Sequence, residues 1–87
     1  MSGLRYEIYL HNTVSEQVRS IRGIPKRTIL DFLDCLQSDP FLLGDFTKHL
    51  SPRDLEVKVI GQYSLYYYAD HAAKEIKVIE LLRSDQA

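Results

Sequence analysis

Tryptophan is missing from this sequence of 87 residues, and cysteine appears once, as Cys35. A single thiol excludes an intrachain disulfide and a cysteine-based metal cluster. It suits a reducing, cytoplasmic compartment. No apolar run reaches the roughly 18 to 20 residues that a membrane span needs. The opening MSGLRYEIYL alternates almost at once and lacks the build of a signal peptide. Charge of one sign is also lacking: 11 Lys and Arg stand against 12 Asp and Glu, for a net charge of −1. Proteins that hold nucleic acid by its backbone carry a basic excess, so any such contact here is confined to a local patch. There is no G-x-S-x-G, no phosphate loop and no dinucleotide glycine pattern, and hence no sign of a cofactor. His11, His49 and His71 lie far apart without metal-ligand spacing. Neither a repeat nor a linker divides the chain, and its length supports one domain over 1–87.

The hydrophobic pattern is informative. Leu4, Tyr6, Ile8 and Leu10 alternate on one face of a strand. Thr13-Val14-Ser15-Glu16 fits a capping box, predicting a short helix that buries Val14, Val18 and Ile21 and ends at Gly23 in the C′ position. Pro25 opens a second helix with Ile29, Phe32, Leu33 and Leu36 on one face, and Ser38-Asp39-Pro40 stops it. Cys35, beside Leu36, reads as a small core residue. The period then changes to two. Strands are expected over 45–50, 55–60, 63–69 and 75–82, with turns at Gly61-Gln62 and 70–73. In the last strand Ile76 and Val78 share one face, with Ile79 and Leu81 near or on the other. The fold class is α+β, in the order β-α-α-β-β-β, with an antiparallel sheet and a helix hairpin packed on one face.

The segment VKVIGQYSLYYYAD carries four tyrosines in one strand. Tyr63 and Tyr67 share a face with Leu65, and Tyr66 and Tyr68 share the other with Ser64. Exposed strand aromatics stack on bases in some RNA-binding sheets. Strand geometry alone also accounts for them, and this strand contains no cation. Arg19, Arg22, Lys26 and Arg27 cluster at the turn between the helices, with Asp31 and Asp34 further on, either as a solvated surface or as a site for phosphates or an acidic partner. His49 is a candidate acid or base. Arg83, at the end of the last strand, is a candidate bidentate donor to phosphate or carboxylate.

Tyr6 and Ile8, Leu36 with Asp39-Pro40, then Val59-Ile60-Gly61-Gln62-Tyr63-Ser64-Leu65-Tyr66-Tyr67 and finally Arg83 together resemble the RelE/ParE toxin superfamily over nearly the whole chain. That resemblance implies a compact α+β toxin, of the kind linked to plasmid stabilization, neutralised by a small antitoxin. Some branches cut ribosome-bound mRNA and others poison DNA gyrase. The ribonuclease motif is degenerate. The cutting branch carries arginine two residues before the glycine and directly after the tyrosine, where this chain has Val59 and Ser64. It often carries a basic residue before the last-strand arginine, where this chain has Leu82, and a tyrosine near the C-terminus, where the tail 84–87 has none. What the resemblance then implies for a metal-independent nuclease is Arg83 for phosphate stabilisation, with Lys48, His49 and Lys58 as further cations or base. Tyr66 and Tyr68 would stack on nucleic acid beside Arg83. Enzyme activity stays open at this level. The alternative is a non-catalytic interaction module that keeps the fold without toxicity, associating as a homodimer through a sheet edge or the tyrosine face.

Overall fold

The computed structural model of the protein describes residues 5–84. Its elements run β1 (Glu7–Leu10), α1 (Asn12–Ser20), α2 (Ile24–Ser38), β2 (Phe46–Lys48), β3 (Leu55–Ile60), β4 (Tyr63–Asp70) and β5 (Glu75–Arg83). The five strands form one sheet in the order β1-β5-β4-β3-β2. Strands β2 to β5 are an antiparallel meander, and β1 joins it at the far edge parallel to β5. The sheet is therefore mixed, because β1 arrives through the two helices rather than through a hairpin. The expected contribution of Leu4 to β1 falls outside the described residues. None of the described helices is long and apolar enough to cross a membrane.

Both helices lie on one face of the sheet, α1 along β5 and α2 against β1 and β3. At nine residues α1 is too short to persist alone, since isolated helices need about 12 to 15 residues even to be marginal. Burial holds it: Val14 and Val18, with Ile21 at its end, join Ile29, Leu33 and Leu36 of α2 over the sheet. Each such side chain contributes about 1.5 to 3 kcal/mol on leaving water. The capping box does not form. His11 donates its backbone N–H to the Val78 carbonyl, continuing the β1 ladder, and is itself the N-cap, so the helix starts at Asn12, two residues before the capping box would place it, with no side-chain cap. Thr13 then lies inside α1, its hydroxyl 3.4 Å from Nδ1 of His11. Gly23 is not the C′ residue of α1 but the residue before α2, with φ 74°. Cys35 is exposed rather than buried, because it sits on the side of α2 turned from Ile29, Leu33 and Leu36.

The β3–β4 hairpin turns through Gly61 and Gln62 between the paired Ile60 and Tyr63. Gly61 has φ 60°, which suits the first position of a type II′ turn. A bulge in the β4–β5 ladder corrects the face expected for Leu81. Tyr66 pairs with Glu80 and Tyr67 with Val78, so Ile79 is the extra residue. The slip moves Leu81 onto the core face beside Val78, where it is 1% exposed. Gly44 fits beneath the sheet edge for a different reason: a Cβ there would stand 2.5 Å from the Val57 carbonyl oxygen.

Candidate functional site

The face of the sheet turned away from the helices carries Tyr66 and Tyr68 on β4, Tyr9 on β1, and Phe46 and Val57 on β2 and β3. Val57 is fully buried between the registers of Phe46 and Tyr66 and gives this face a small apolar footing of its own. The strand of the tyrosines has no cation, but its neighbours supply them. The Lys48 ammonium, on β2, lies 5.6 Å from the Tyr66 ring centroid. The Arg53 guanidinium, from the loop before β3, lies 4.3 Å from that of Tyr68. The Lys77 ammonium, on β5, lies 6.0 Å from that of Tyr9. Arg53, Lys77 and Tyr9 were not among the residues expected here. Finding them requires the register, since the pattern of one strand says nothing of what stands beside it.

These three pairs are not equivalent. Lys77 also faces Asp70 at 3.7 Å and Glu75 at 3.6 Å, so its charge is met. The Asp70 carboxyl is held below the usual range first by the Ala73 N–H, which outweighs the desolvation opposing it, with Lys77 and Arg53 adding to it. Lys48 and Arg53 rest on their rings. An exposed cation–π contact is worth about 0.5 to 1 kcal/mol, whereas a base stacked on an aromatic side chain is worth about 1 to 3 kcal/mol. By these magnitudes a base stacked at Tyr66 or Tyr68 would outcompete the cation for the ring and free it for a phosphate.

The four candidate catalytic residues do not converge. Lys48 stands on the open face with Tyr66 and Tyr68. Lys58 and Arg83 share the opposite, helix-side face, paired in register with Leu65 and Tyr63, so strand β4 and one row separate them. Lys58 reaches Asp45 at 3.5 Å and stands over the Phe32 ring at 5.5 Å. The Asp45 carboxyl is kept low chiefly by the Val59 N–H at 2.7 Å, with Lys58 assisting against a desolvation cost. Arg83 lines a pocket of about 270 Å³ with Gln17, Ser20, Ile21, Tyr63 and Leu81, and does not share a face with Tyr66 and Tyr68. His49 lies in the loop after β2, bonded to Asp54 at 3.1 Å. Of the helix cluster, Arg19, Arg22 and Arg27 stand exposed, and Asp34 takes its ion pair from Arg5, at 3.0 Å.

The three positions at which the ribonuclease branch would carry cations do converge. Val59 pairs with Ser64, and Ser64 with Leu82, forming one row across the open face next to the row of Tyr66. Val59 and Leu82 are exposed, and nothing in the row is charged.

No protein-family model matches the chain, and no curated protein matches it by sequence. Solved structures do match it in shape. The archaeal RelE–RelB complex from Pyrococcus horikoshii OT3 has a chain 23% identical, aligned over 97% of this chain and 100% of its own, with a TM-score of 0.77. The chain has the fold of the RelE toxins. The RelBE2 toxin–antitoxin complex from Mycobacterium tuberculosis aligns at 14% identity over 92% of this chain and 99% of its own, TM-score 0.72. The isolated RelE toxin of E. coli aligns at 13% identity over 94% of this chain and 87% of its own, TM-score 0.76. This agrees with the α+β layout and with the resemblance carried by the Gly61, Tyr63 and Arg83 spacing.

Proposed function

We propose that this protein is the toxin-like component of a type II toxin–antitoxin pair, and that it acts on translation by gripping single-stranded RNA on the Tyr66–Tyr68 face. The observation that carries the reading is the set of cations poised over tyrosines on the open face of a RelE fold. Tyr66 and Tyr68 alternate along β4, so successive bases stack while Lys48 and Arg53 take phosphates. A small antitoxin is the expected partner, since two of the similar structures are toxin–antitoxin complexes. The mode is binding more than cutting. Strand scission without a metal needs donors aimed at the pentavalent phosphorus. The uncharged row Val59, Ser64 and Leu82 offers none from cationic side chains, and Arg83 and Lys58 belong to the other face.

A second reading is favoured by that same uncharged row: a non-catalytic interaction module, self-associating through the exposed Val59, Leu82 and Phe46. Inducible expression of the chain in bacteria without a partner separates the two. The expected result is growth arrest with falling translation, relieved by Tyr66→Ala combined with Tyr68→Ala and unaffected by Arg83→Ala. Healthy growth with abundant, folded, oligomeric protein would establish the interaction module instead. Arrest with intact translation and lost DNA supercoiling would move the target to gyrase.

A further inference from the structure

Strand β3 begins at Leu55, while β4 runs on to Asp70, so the β3–β4 pairing stops at Glu56 and Tyr67. A pocket of about 290 Å³ opens where it stops. That is just below the usual range of about 300 to 1,000 Å³ for small-molecule pockets and suits a single planar group. Its lining includes two packed pairs, Arg53 on Tyr68 and Phe41 on His71. Phe41 stacks on His71 with centroids 4.5 Å apart and planes 13° from parallel. Nδ1 of His71 lies 2.9 Å from the hydroxyl of Tyr6, a core residue, so this wall is anchored in the fold.

The polar groups at the pocket differ in how far they are already engaged. Glu56 is occupied, accepting from the Gly44 N–H at 2.9 Å and the Thr47 hydroxyl at 2.7 Å. Asp54 uses Oδ2 toward His49, and among the described residues Oδ1 has no partner. The Arg53 guanidinium donates no hydrogen bond among the described residues and rests on the Tyr68 ring. The pocket thus offers flat aromatic faces, one carboxylate acceptor and one guanidinium donor, beside the Tyr68 hydroxyl and the second ring nitrogen of His71.

Among the four RNA bases, guanine matches this set. Its N1–H and N2–H₂ donate side by side to a carboxylate, and its O6 and N7 accept from a guanidinium. Adenine and cytosine set an acceptor ring nitrogen beside their amino group, and uracil flanks its single N–H with two carbonyls. Each of those acceptors would face the Asp54 carboxylate. We propose that the pocket between Arg53–Tyr68 and Phe41–His71 is a guanine subsite, with Asp54 reading N1–H and N2–H₂ and Arg53 reading O6 and N7. The proposal rests on the RNA-binding reading, because Tyr68 and Arg53 belong to both the open face and the pocket. A free guanine nucleotide would carry the same chemistry.

Two arms test it on the full chain. In the first, GMP, AMP, CMP and UMP are titrated against ¹⁵N-labelled protein. GMP alone is expected to shift amides of residues 41–43, 53–56 and 68–71. In the second, fluorescence anisotropy compares oligouridine strands carrying one central guanosine, inosine or uridine. The guanosine strand is expected to bind about tenfold tighter or more. Inosine, which lacks the N2 amino group, should lose most of that gain. Asp54→Asn should abolish the preference while leaving the all-uridine strand unchanged. Phe41→Ala serves as a second variant, since Phe41 is 71% exposed and its loss spares the core. Equal shifts from all four nucleotides, or none, with oligouridine still bound, would overturn the subsite and leave the RNA reading standing. GMP binding without any strand binding would support the subsite for a free nucleotide and overturn the RNA reading. Silence in both arms would overturn both.

Discussion

The ionic-strength dependence of RNA binding tests the charge assignment on the open face directly. Each phosphate neutralised on a single strand contributes about −0.7 to the slope of log K against log salt. Three cations stand over tyrosines there, but Lys77 is ion-paired with Asp70 and Glu75, so Lys48 and Arg53, which form no ion pair among the described residues, are the two that count. The slope for oligouridine is therefore expected near −1.4, a loss of about sevenfold in affinity between roughly 50 and 200 mM salt. Lys48→Ala should bring the slope to about −0.7, and Lys77→Ala should leave it unchanged. Tyr66→Ala should behave oppositely, costing about 1 to 3 kcal/mol, or about 5- to 150-fold, with the slope preserved, because stacking is not a charge contact. Fluorescence anisotropy across a salt series reads all of this. A wild-type slope near zero, or a Lys77→Ala effect as large as that of Lys48→Ala, would refute the assignment of these cations to phosphates.

Two further predictions concern the scaffold. Gly44→Ala places a methyl group against the backbone of Val57, which is held in two ladders and cannot retreat. Overpacking of this kind costs about 1 to 3 kcal/mol, and each kcal/mol lowers the Tm of a domain this size by about 4 to 8 °C. A circular-dichroism melt unchanged by the substitution would show that Gly44 is not a close-approach site. The depressed Asp45 carboxyl means that the folded state binds its proton less readily than the unfolded chain. Its stabilising contribution is thus complete above the ordinary carboxyl value of 3.8 and disappears as pH falls through the lower folded value. Urea midpoints of the protein and of Asp45→Asn should therefore differ near neutrality and converge in acid. A constant difference at every pH would show that Val59 and Lys58 do not act through the charge of this carboxylate.

The elements of this fold are largely legible in the sequence because their signals are local. Alternation from Leu55 to Ile60 sets β3 with the observed bounds, and the stripe of Ile29, Leu33 and Leu36 orients α2. The pattern misleads where one residue decides a face. Cys35 adjoins the buried Leu36 yet points outward, since one step along a helix is about a quarter turn. Leu81 changed sides through a one-residue bulge at Ile79, which alternation does not reveal. The helix start moved because the N–H of His11 was claimed by Val78, 67 positions distant in chain number. The candidate site was less legible for the same reason. Tyr66 and Tyr68 announce themselves, but Lys48 and Arg53 lie on separate segments, and only pairing places them over the rings.

On the RNA-binding reading, register would also separate grip from scission on one face. Ser64 and Tyr66 point the same way from β4, two residues and thus about 7 Å apart. A strand stacked on Tyr66 and Tyr68 lays its backbone within one row of Val59, Ser64 and Leu82. Stacking depends on the tyrosine rings, which this chain keeps, and scission on donors in the adjoining row, which is uncharged. Loss of a single transition-state donor typically costs about 10² to 10³ in rate. The positions that the resemblance assigns to cations are uncharged here, so on the RNA-binding reading cutting would fall by orders of magnitude while affinity, carried one row away, would stay. On the reading proposed above, a protein built this way would arrest by occupancy, and its potency would follow its abundance relative to target. A catalytic toxin would act at a small fraction of that level. On that reading an antitoxin would need only to cover Tyr66 and Tyr68, not displace a reactive side chain.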